Sequence, residues 1–177
     1  MATTVGRFFP YQSIHLGATG SVSTFNEASL SNSGIGPFLG QLGMIMEQDG
    51  KVYRLVQFDN GSAVAAAANQ LAYWKTRASN IVTSDESAGE ALRTGAAGLF
   101  LMALTDLYYG FVQIGGPCTF VTDQSVDIGD AIIATTTDGV VAGQAMGSLN
   151  SAMIGYATSD DASTTSATGQ LILGYFL

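Results

Sequence analysis

A ladder of short β-prone segments, each ended by turn residues, occupies the chain from about Met44 onward. Runs of about five to eight apolar or alternating residues recur there, and glycine, asparagine, aspartate or proline follows each run. Many short strands with this punctuation are typical of antiparallel sandwiches and barrels. The sequence therefore predicts a mainly β fold, an antiparallel β-barrel or sandwich with one or two short helices and an extended N-terminal arm.

The strands of this ladder can be placed along the chain. Lys51–Phe58 is the clearest of them, because it is rich in β-branched and aromatic residues. The others are predicted at Gln70–Thr76, Ala97–Leu104, Tyr108–Ile114, Cys118–Thr122, Asp130–Thr135, Val140–Val141, Ala152–Ala157 and Gln170–Leu177. Ala97–Leu104 is continuously apolar, which predicts a central strand buried on both faces. Gly115-Gly116-Pro117 is predicted to end one strand before the next begins.

Turns and helices are predicted from local propensity. Asn60-Gly61 is a strong signal for a hairpin turn. Alanine favours helix, so the alanine-rich stretch predicts a short helix over Ser62–Asn69. Ser87 with Glu90 three positions later predicts a second short helix over Ser87–Arg93. Asp160-Asp161 is predicted to be a solvated loop tip.

Residues 1–43 differ from the rest of the chain. Glycine, serine and asparagine are frequent from Gly17 onward, which disfavours helices and long strands. One interpretation is an extended arm that anchors on a partner or a neighbouring subunit through Arg7, Phe8, Phe9, Tyr11 and Phe38; the other is a long irregular loop on the protein's own core. The chain is thus divided into an arm, 1–43, and a β-rich domain, 44–177.

The charge of the chain is low and uneven. Only 11% of the 177 residues are charged and the net charge is −8, whereas about 25% is the usual charged fraction. Residues 1–93 hold all six basic residues, while residues 94–177 hold seven acidic residues and no basic one. Nucleic acids and anionic membranes are bound by clustered lysine and arginine, so neither is expected as a partner. The N-terminal residues do not resemble a signal peptide, so assembly in a cytoplasm is expected.

The residues able to carry chemistry do not combine into an active site. Cys118 and His15 are single residues of their type, which excludes disulfide frameworks and zinc sites built from cysteine and histidine. Cys118 is expected to be a buried, inert thiol. Asp123, Asp127 and Asp130 are spaced closely, but they complete no calcium-binding pattern and are interpreted as turn residues. No catalytic residue, no cofactor and no metal site is predicted.

Residues of the β-rich domain nevertheless resemble a known family. The similarity rests on Met46–Phe58 with Leu71–Trp74, then Val82–Asp85, Gly98, Tyr109–Gly116, Gly129-Asp130, Asp138-Gly139 and Ile154-Gly155. This pattern resembles the head decoration, or capsid cement, proteins of tailed bacteriophages over residues 43–177. It consists of strand, turn and glycine positions, and the N-terminal arm is not part of it.

The resemblance implies a structural role in a virion. Cement proteins are not enzymes; they are β-rich subunits, commonly trimers, that bind the outer surface of an icosahedral shell between capsomers and hold it against internal pressure. It implies the major capsid protein as partner, assembly in the host cytoplasm and a place on the outer capsid surface. Two alternatives remain: another small virion subunit associated with a tail or fibre, or a carbohydrate-binding β-domain whose exposed Trp74, Tyr108 and Tyr109 form a sugar platform.

A homotrimer is expected from the distribution of apolar residues. The predicted strands of the second half carry more large apolar side chains than one sheet face needs, namely Leu99, Leu101, Phe111, Ile114, Phe120, Ile132, Leu171, Leu173 and Phe176. Packing against symmetry mates would use this surplus, and Leu173→Asp would then split the trimer. The alternative is that the surplus fills a single large barrel core.

Overall fold

The computed structural model describes residues 42–61, 64–87, 95–148, 153–161 and 165–173. It confirms a mainly β fold with ten strands and two short 3-10 turns, Arg77–Ser79 and Met146–Ser148. The strands are β1 Ile45–Gln48, β2 Lys51–Phe58, β3 Leu71–Thr76, β4 Ile81–Thr83, β5 Ala96–Phe100, β6 Tyr109–Val121, β7 Ala131–Ala134, β8 Val141–Gln144, β9 Met153–Ala157 and β10 Ser166–Leu171.

Five strands close into a small barrel, which we call the first barrel. Strand β2 pairs antiparallel with β6, β6 with β5, β5 with β3 and β3 with β4. The ring closes where Gln57 and Phe58 of β2 lie parallel to Ile81 and Val82 of β4. Strand β1 forms a hairpin with β2 and lies on the edge that β4 leaves free.

The interior of the first barrel is apolar and tightly packed. It contains Val56, Phe58, Ala66, Ala72, Trp74, Val82, Ala97, Phe100, Leu104, Val112 and Ile114. Phe58 and Phe100 meet edge to face, with ring centroids 5.5 Å apart. Side chains of β2 that point inward alternate with side chains that point outward, as a closed sheet requires.

The second half of the chain forms a second sheet on the same long strand. Residues 116–121 of β6 pair with β10, which continues through β9 and β7 to β8. A parallel bridge between Thr122 and Val141 brings the two ends of this sheet together. The Val121 amide donates to the Asn69 carbonyl, and the Leu71 amide donates to the Gly139 carbonyl. The beginning of β3 therefore lies where the two ends of the second sheet meet. The core of the second sheet therefore includes residues of the first barrel's outer face.

Strand β5 shows how the two layers share their cores. It is central in the sheet order, and all five of its residues are buried, as predicted for the apolar run. Ala97 and Phe100 face the first barrel's interior, while Ala96 and Leu99 belong to the core of the second sheet. The strand ends at Phe100 and not at Leu104, because the chain bends there and Leu104 turns back onto the first core.

The predicted break at Gly115-Gly116-Pro117 is wrong, because β6 runs through it as one strand of 13 residues. The register against β2 shifts between Val52 and Tyr53 and leaves Ile114 without a paired residue, which marks a β-bulge at Ile114 of β6. Gln113 is 3% exposed, and its side-chain amide donates to the carbonyl oxygens of Gly115, Gly116 and Pro117 at 3.0, 3.3 and 2.8 Å. These bonds hold the bend at which β6 leaves the first barrel and enters the second sheet.

Two other local predictions are wrong within the described residues. Asn60-Gly61 does not connect a hairpin, because β2 pairs with β1, β4 and β6 and not with β3. Residues 64–69 are not helical. The Ser84 hydroxyl donates to the Val64 carbonyl, and the Ala67 amide donates to the Gln70 side chain at 3.0 Å. Tertiary contacts outweigh alanine's helix propensity here. Residues 88–94, within the second predicted helix, lie outside the described part.

Most of the apolar surplus of the second half is used inside the subunit; Leu101 is half-buried, and Phe176 lies outside the described residues. Leu99, Phe111, Ile114, Phe120, Ile132 and Leu171 are each at most 2% exposed and belong to internal clusters. Leu173 is partly buried and packs against both main cores. Leu173→Asp would therefore destabilise the fold itself, so it does not probe a subunit interface. The homotrimer stays a prediction, without the support of these side chains.

Asp161 departs from its predicted place at a solvated loop tip. It is 6% exposed, and its Oδ2 accepts hydrogen bonds from the Thr122 hydroxyl at 2.9 Å and the Ser166 amide at 2.8 Å.

Asp161→Ala should lower the free energy of unfolding by about 2–3 kcal/mol, since buried donors lose a charged acceptor. Urea denaturation measures this. The exposed neighbour Asp160 accepts only from Ile128 among the described contacts, so Asp160→Ala should cost about 1 kcal/mol or less. Equal losses would contradict the prediction.

Candidate functional site

The predicted partner-binding residues belong to the arm. Arg7, Phe8, Phe9, Tyr11 and Phe38 lie outside the described residues, and so does His15. Their roles and the boundary between residues 43 and 44 therefore stay predictions.

The aspartates of the second half behave as turn residues where the structure describes them. The Asp127 amide donates to the Asp130 carboxylate at 3.2 Å, which closes the turn before β7. Asp123 accepts from the Thr137 hydroxyl at 3.4 Å. Within residues 42–61, 64–87, 95–148, 153–161 and 165–173, no group of three histidine, cysteine, aspartate or glutamate side chains is arranged to hold a metal ion.

The sugar platform expected of Trp74, Tyr108 and Tyr109 does not form. Trp74 is 3% exposed and Tyr109 is 8% exposed, because both lie on strands whose two faces are covered. Tyr108 is half-buried. Two of the three rings assumed to be exposed for carbohydrate binding are thus buried.

Two arginines flank the single tryptophan at one end of the first barrel. The Arg54 guanidinium carbon lies 5.4 Å from the Trp74 ring centroid, and that of Arg77 lies 5.8 Å from it. Both distances are within the range of cation–π attraction. We call these three residues the basic rim of the first barrel. Sequence reasoning missed it, although Arg54 shares the alternation phase of Val56 and Phe58, which places an arginine among inward-facing positions.

Burial and a neighbouring positive charge both act on Arg54 of the basic rim. Partial burial lowers the pKa of Arg54, and the positive charge of Arg77 lowers it further. Lys75, next to Trp74 in the chain, forms an ion pair with Asp59 at 2.8 Å, and Arg54 is not part of it. No carboxylate of the described residues lies within 4 Å of the Arg54 guanidinium. The rim therefore holds two close positive charges in a protein whose net charge is −8.

A second polar feature lies where the first barrel meets the second sheet. Glu86 is 6% exposed, its amide donates to Asp138 at 2.8 Å, and its Oε1 has no hydrogen-bond partner in the described structure. Tyr73 lies close by, and its hydroxyl donates to the Thr137 carbonyl at 3.5 Å. Burial raises the pKa of Tyr73, and the charges of Glu86 and Asp138 add to the shift. Among the described residues, the carboxylates around Glu86 and Asp138 are not part of any group of three arranged to hold a metal ion.

Four large apolar side chains are exposed among the described residues: Leu107, Ile128, Met146 and Tyr156. Leu107 has a left-handed backbone, with a φ of 63°. Tyr156 lies on β9 of the second sheet, and Ile128 lies in the turn before β7. None of the helices in the described residues is long and apolar enough to cross a membrane.

Cys118 is half-buried, and its thiol donates to the Gly169 carbonyl at 3.4 Å. Burial raises the pKa of Cys118 to about 12. The thiol therefore ionises in the unfolded chain, near pH 8.5, well before it ionises in the folded protein. A group whose folded pKa is raised contributes stability that is complete at lower pH and is lost as the pH rises through the window between the two values.

The free energy of unfolding should consequently fall from about pH 9 upward, by about 1 kcal/mol or slightly more per pH unit. Urea denaturation at pH 8, 9 and 10 measures the slope. Cys118→Ser should flatten the slope between pH 8 and about pH 9, where tyrosines, whose ordinary pKa is about 10, are still mostly protonated in both states. An unchanged slope in that variant would show that Cys118 is not the group responsible.

Comparisons with known proteins assign no family. No family model matches the chain, and neither does any curated protein. Among solved structures, it is similar to the N base of the head fiber gp8.5 of bacteriophage phi29. The two chains are 14% identical with a TM-score of 0.48, and the match covers 68% of this chain and 93% of that chain.

Proposed function

We propose that the protein is a non-enzymatic structural component of a tailed-phage virion that decorates the outer surface of the capsid. It binds the major capsid protein between capsomers and stabilises the shell. The observation that carries this proposal is the sequence resemblance over residues 43–177. Assembly takes place in the host cytoplasm, and the arm supplies contacts to the capsid or to a neighbouring subunit.

The positions that make up the resemblance are ones on which this backbone depends. A Cβ at Gly98 would lie 2.6 Å from the Gln113 carbonyl oxygen and 2.9 Å from the Val112 Cβ. A Cβ at Gly155 would overlap the Gln170 carbonyl oxygen of the neighbouring strand. Strands approach too closely at these sites for any side chain, so the shared pattern follows the needs of one fold. This supports a common architecture with cement proteins, and from it we infer a common role.

The surface composition suits a protein that works on a large assembly. Charged residues make up 11% of the chain. All seven acidic residues after position 93 lie outside the strands, and Asp161 is the buried one among them. Strand faces thus carry few charges that would have to be desolvated on binding. A homotrimer is part of the proposal, and the arm residues Phe8, Phe9, Tyr11 and Phe38 are its proposed anchors.

Binding to capsids tests the proposal directly. Shells assembled from the major capsid protein of the same genome would be mixed with the purified protein and imaged by cryo-electron microscopy. We expect saturable density at regular positions between capsomers, and an increase in the temperature at which the shells break. A chain beginning at residue 41 should fold but bind weakly, because it lacks the arm.

Other locations would contradict the decoration role. Labelling confined to a tail, or to fibres attached at a few sites, would favour the fibre- or tail-associated alternative. Absence of binding to shells together with specific retention of a glycan would favour a carbohydrate-binding domain. Sedimentation of the protein alone, at micromolar concentration, measures whether the proposed trimer exists before the capsid is reached.

A further inference from the structure

We propose that the exposed apolar end of the second sheet, formed by Ile128, Met146 and Tyr156, is the docking site for the arm segment 7–11 of a second copy of this chain. We call this group of three residues the apolar end. The contact would account for the self-association included in the proposed function, on which it rests, and it does not require capsid binding.

Three of the four exposed large apolar side chains in the described residues lie at this end of the sheet. Tyr156 and Gln144 flank Ala131, the first residue of β7, on its two sides. Ile128 lies in the turn that leads into β7, and Met146 lies two positions after Gln144. The three side chains have exposed fractions of 41 to 64%. Apolar side chains gathered at one place on a surface are typical of an interaction site.

The sheet next to the apolar end carries no charge. The described strands β7 to β10 contain no lysine, arginine, aspartate or glutamate. On the face that Tyr156 shares, Ile133 is paired with Met153, and both are half-buried. A segment laid on this face would therefore desolvate apolar and uncharged side chains only, which costs little compared with burying a charge.

Two exposed aspartates border the apolar end. Asp127 precedes Ile128 in the chain, and Asp160 accepts a hydrogen bond from the Ile128 amide at 2.8 Å through its Oδ1. Residues 94–177 supply no lysine or arginine to balance these carboxylates. An occupant that combines apolar side chains with a positive charge would complement this arrangement.

The arm contains a segment with this combination. Arg7 is followed by three aromatic residues, Phe8, Phe9 and Tyr11, and residues 1–26 contain no aspartate or glutamate. None of the other five basic residues of the chain is followed by more than one aromatic residue within four positions. Aromatic side chains bury much area for the conformational freedom they lose, so they are effective anchors. Within this chain, segment 7–11 is thus the best match to the apolar end.

The arm is long enough to reach another copy. Phe9 precedes Leu42, where the described structure begins, by 33 residues, which span up to about 110 Å when extended. Two copies that each carry a net charge of −8 repel one another. Placing Arg7 of one copy beside Asp127 and Asp160 of the other puts opposite charges at the point of contact. Exchange of arms would also supply the contact area that the internally used apolar side chains of the second half do not.

Photo-cross-linking of the full chain tests the docking site. The photoreactive residue p-benzoylphenylalanine would be placed at position 156, and the protein would be irradiated without capsids. We expect a product of about twice the chain mass of 18.3 kDa on denaturing gels. Mass spectrometry after tryptic digestion should place the link at residues 8–11. The matched control carries the same photoreactive residue at position 107, because Leu107 is also exposed but lies beside β2 of the first barrel, and it should not give this product.

Sedimentation equilibrium measures the strength of the contact. Phe9→Ala should weaken self-association at least tenfold, because it removes an aromatic anchor. Arg7→Glu should weaken it about two- to fivefold, and Asp127→Lys in the same chain should restore it. Asp123→Lys makes the same charge change at an exposed aspartate that is not next to Ile128, so it should not restore self-association. Thermal unfolding would verify that each variant is folded.

Several results would overturn the docking site. These are a cross-linked product of single-chain mass, equal cross-linking from position 107, or self-association that Phe9→Ala leaves unchanged. A stable trimer without the cross-link from position 156 would overturn the docking site and leave the proposed trimer standing. A chain that stays monomeric would overturn both. Capsid binding is measured on shells and enters neither readout, so the decoration role is decided separately.

Discussion

Gly116→Ala is expected to lower the free energy of unfolding by roughly 3–4 kcal/mol, enough to leave much of the protein unfolded. Gly116 has a φ of +90°, which is unfavourable for a residue with a side chain. A Cβ there would overlap the carbonyl oxygen of Gly50 and lie 2.9 Å from the Cα of Lys51. Both contacts are to backbone, so neither can rotate away. Urea denaturation and the yield of soluble protein measure the effect.

Gly129 provides a matched control for the backbone term. Its φ is +87°, almost the same as that of Gly116, but a Cβ at Gly129 would meet nothing within 4 Å. Gly129→Ala should therefore cost only the conformational penalty, about 1 kcal/mol. The difference between the two variants isolates the close approach of β6 to the β1–β2 turn. Similar losses in both would mean that the crowding at Gly116 is relieved by a small shift.

Gln113→Glu is expected to cost about 3–5 kcal/mol at pH 7.5, although the two side chains have the same shape. The amide of Gln113 faces three carbonyl oxygens. An ionised carboxylate there can donate nothing and is repelled by all three. The protonated acid can donate one hydrogen bond, so burial among acceptors should raise the pKa of the introduced carboxyl above its usual value of about 4.3.

The pH dependence of this variant follows from that shift. A carboxyl that binds its proton more tightly in the folded state is stabilising at low pH, and this contribution is lost as the pH rises through the folded pKa. Gln113→Glu should thus lie closer to the unmodified protein at pH 4.5 than at pH 7.5. Gln124 is an exposed glutamine that donates to the Gly143 carbonyl at 2.9 Å, and Gln124→Glu should cost less than about 1 kcal/mol at both pH values. A pH-independent loss in Gln113→Glu would contradict this account.

Local sequence signals correctly predicted those strands whose position follows from their own residue types and from the turn residues on either side. Lys51–Phe58 and Ala131–Ala134 are strands as expected, and the apolar run beginning near Ala97 is central and buried on both faces. Each of these follows from residue type and from the turn residues around it. They required no knowledge of which strands are neighbours.

The features that were not predicted depend on distant contacts. Gly115-Gly116-Pro117 looks like a break because glycine and proline end strands in most settings. Here Gln113 binds the carbonyls of all three, and β2 and β10 hold the strand on either side. Trp74 and Tyr109 were expected at the surface because a strand pattern does not say which face is covered.

The basic rim was missed for a similar reason. Arg54 precedes Trp74 by 20 residues and Arg77 by 23. They come together because β2 and β3 are both joined to β4. The sequence offered one usable signal, an arginine in phase with inward-facing apolar residues. Recognising it would have required the register of the barrel.

Strand β6 has a mechanical consequence. Its first half is bonded to β2 and β5 and its second half to β10, while the covalent chain runs without interruption between them. Hydrogen bonds in antiparallel pairs lie across the strands. Pulling the first barrel away from the second sheet along β6 would load these bonds in shear, all together, and not peel them apart one at a time. The molecule should therefore be stiffest along this strand, and tension on one half is passed to the other through the backbone.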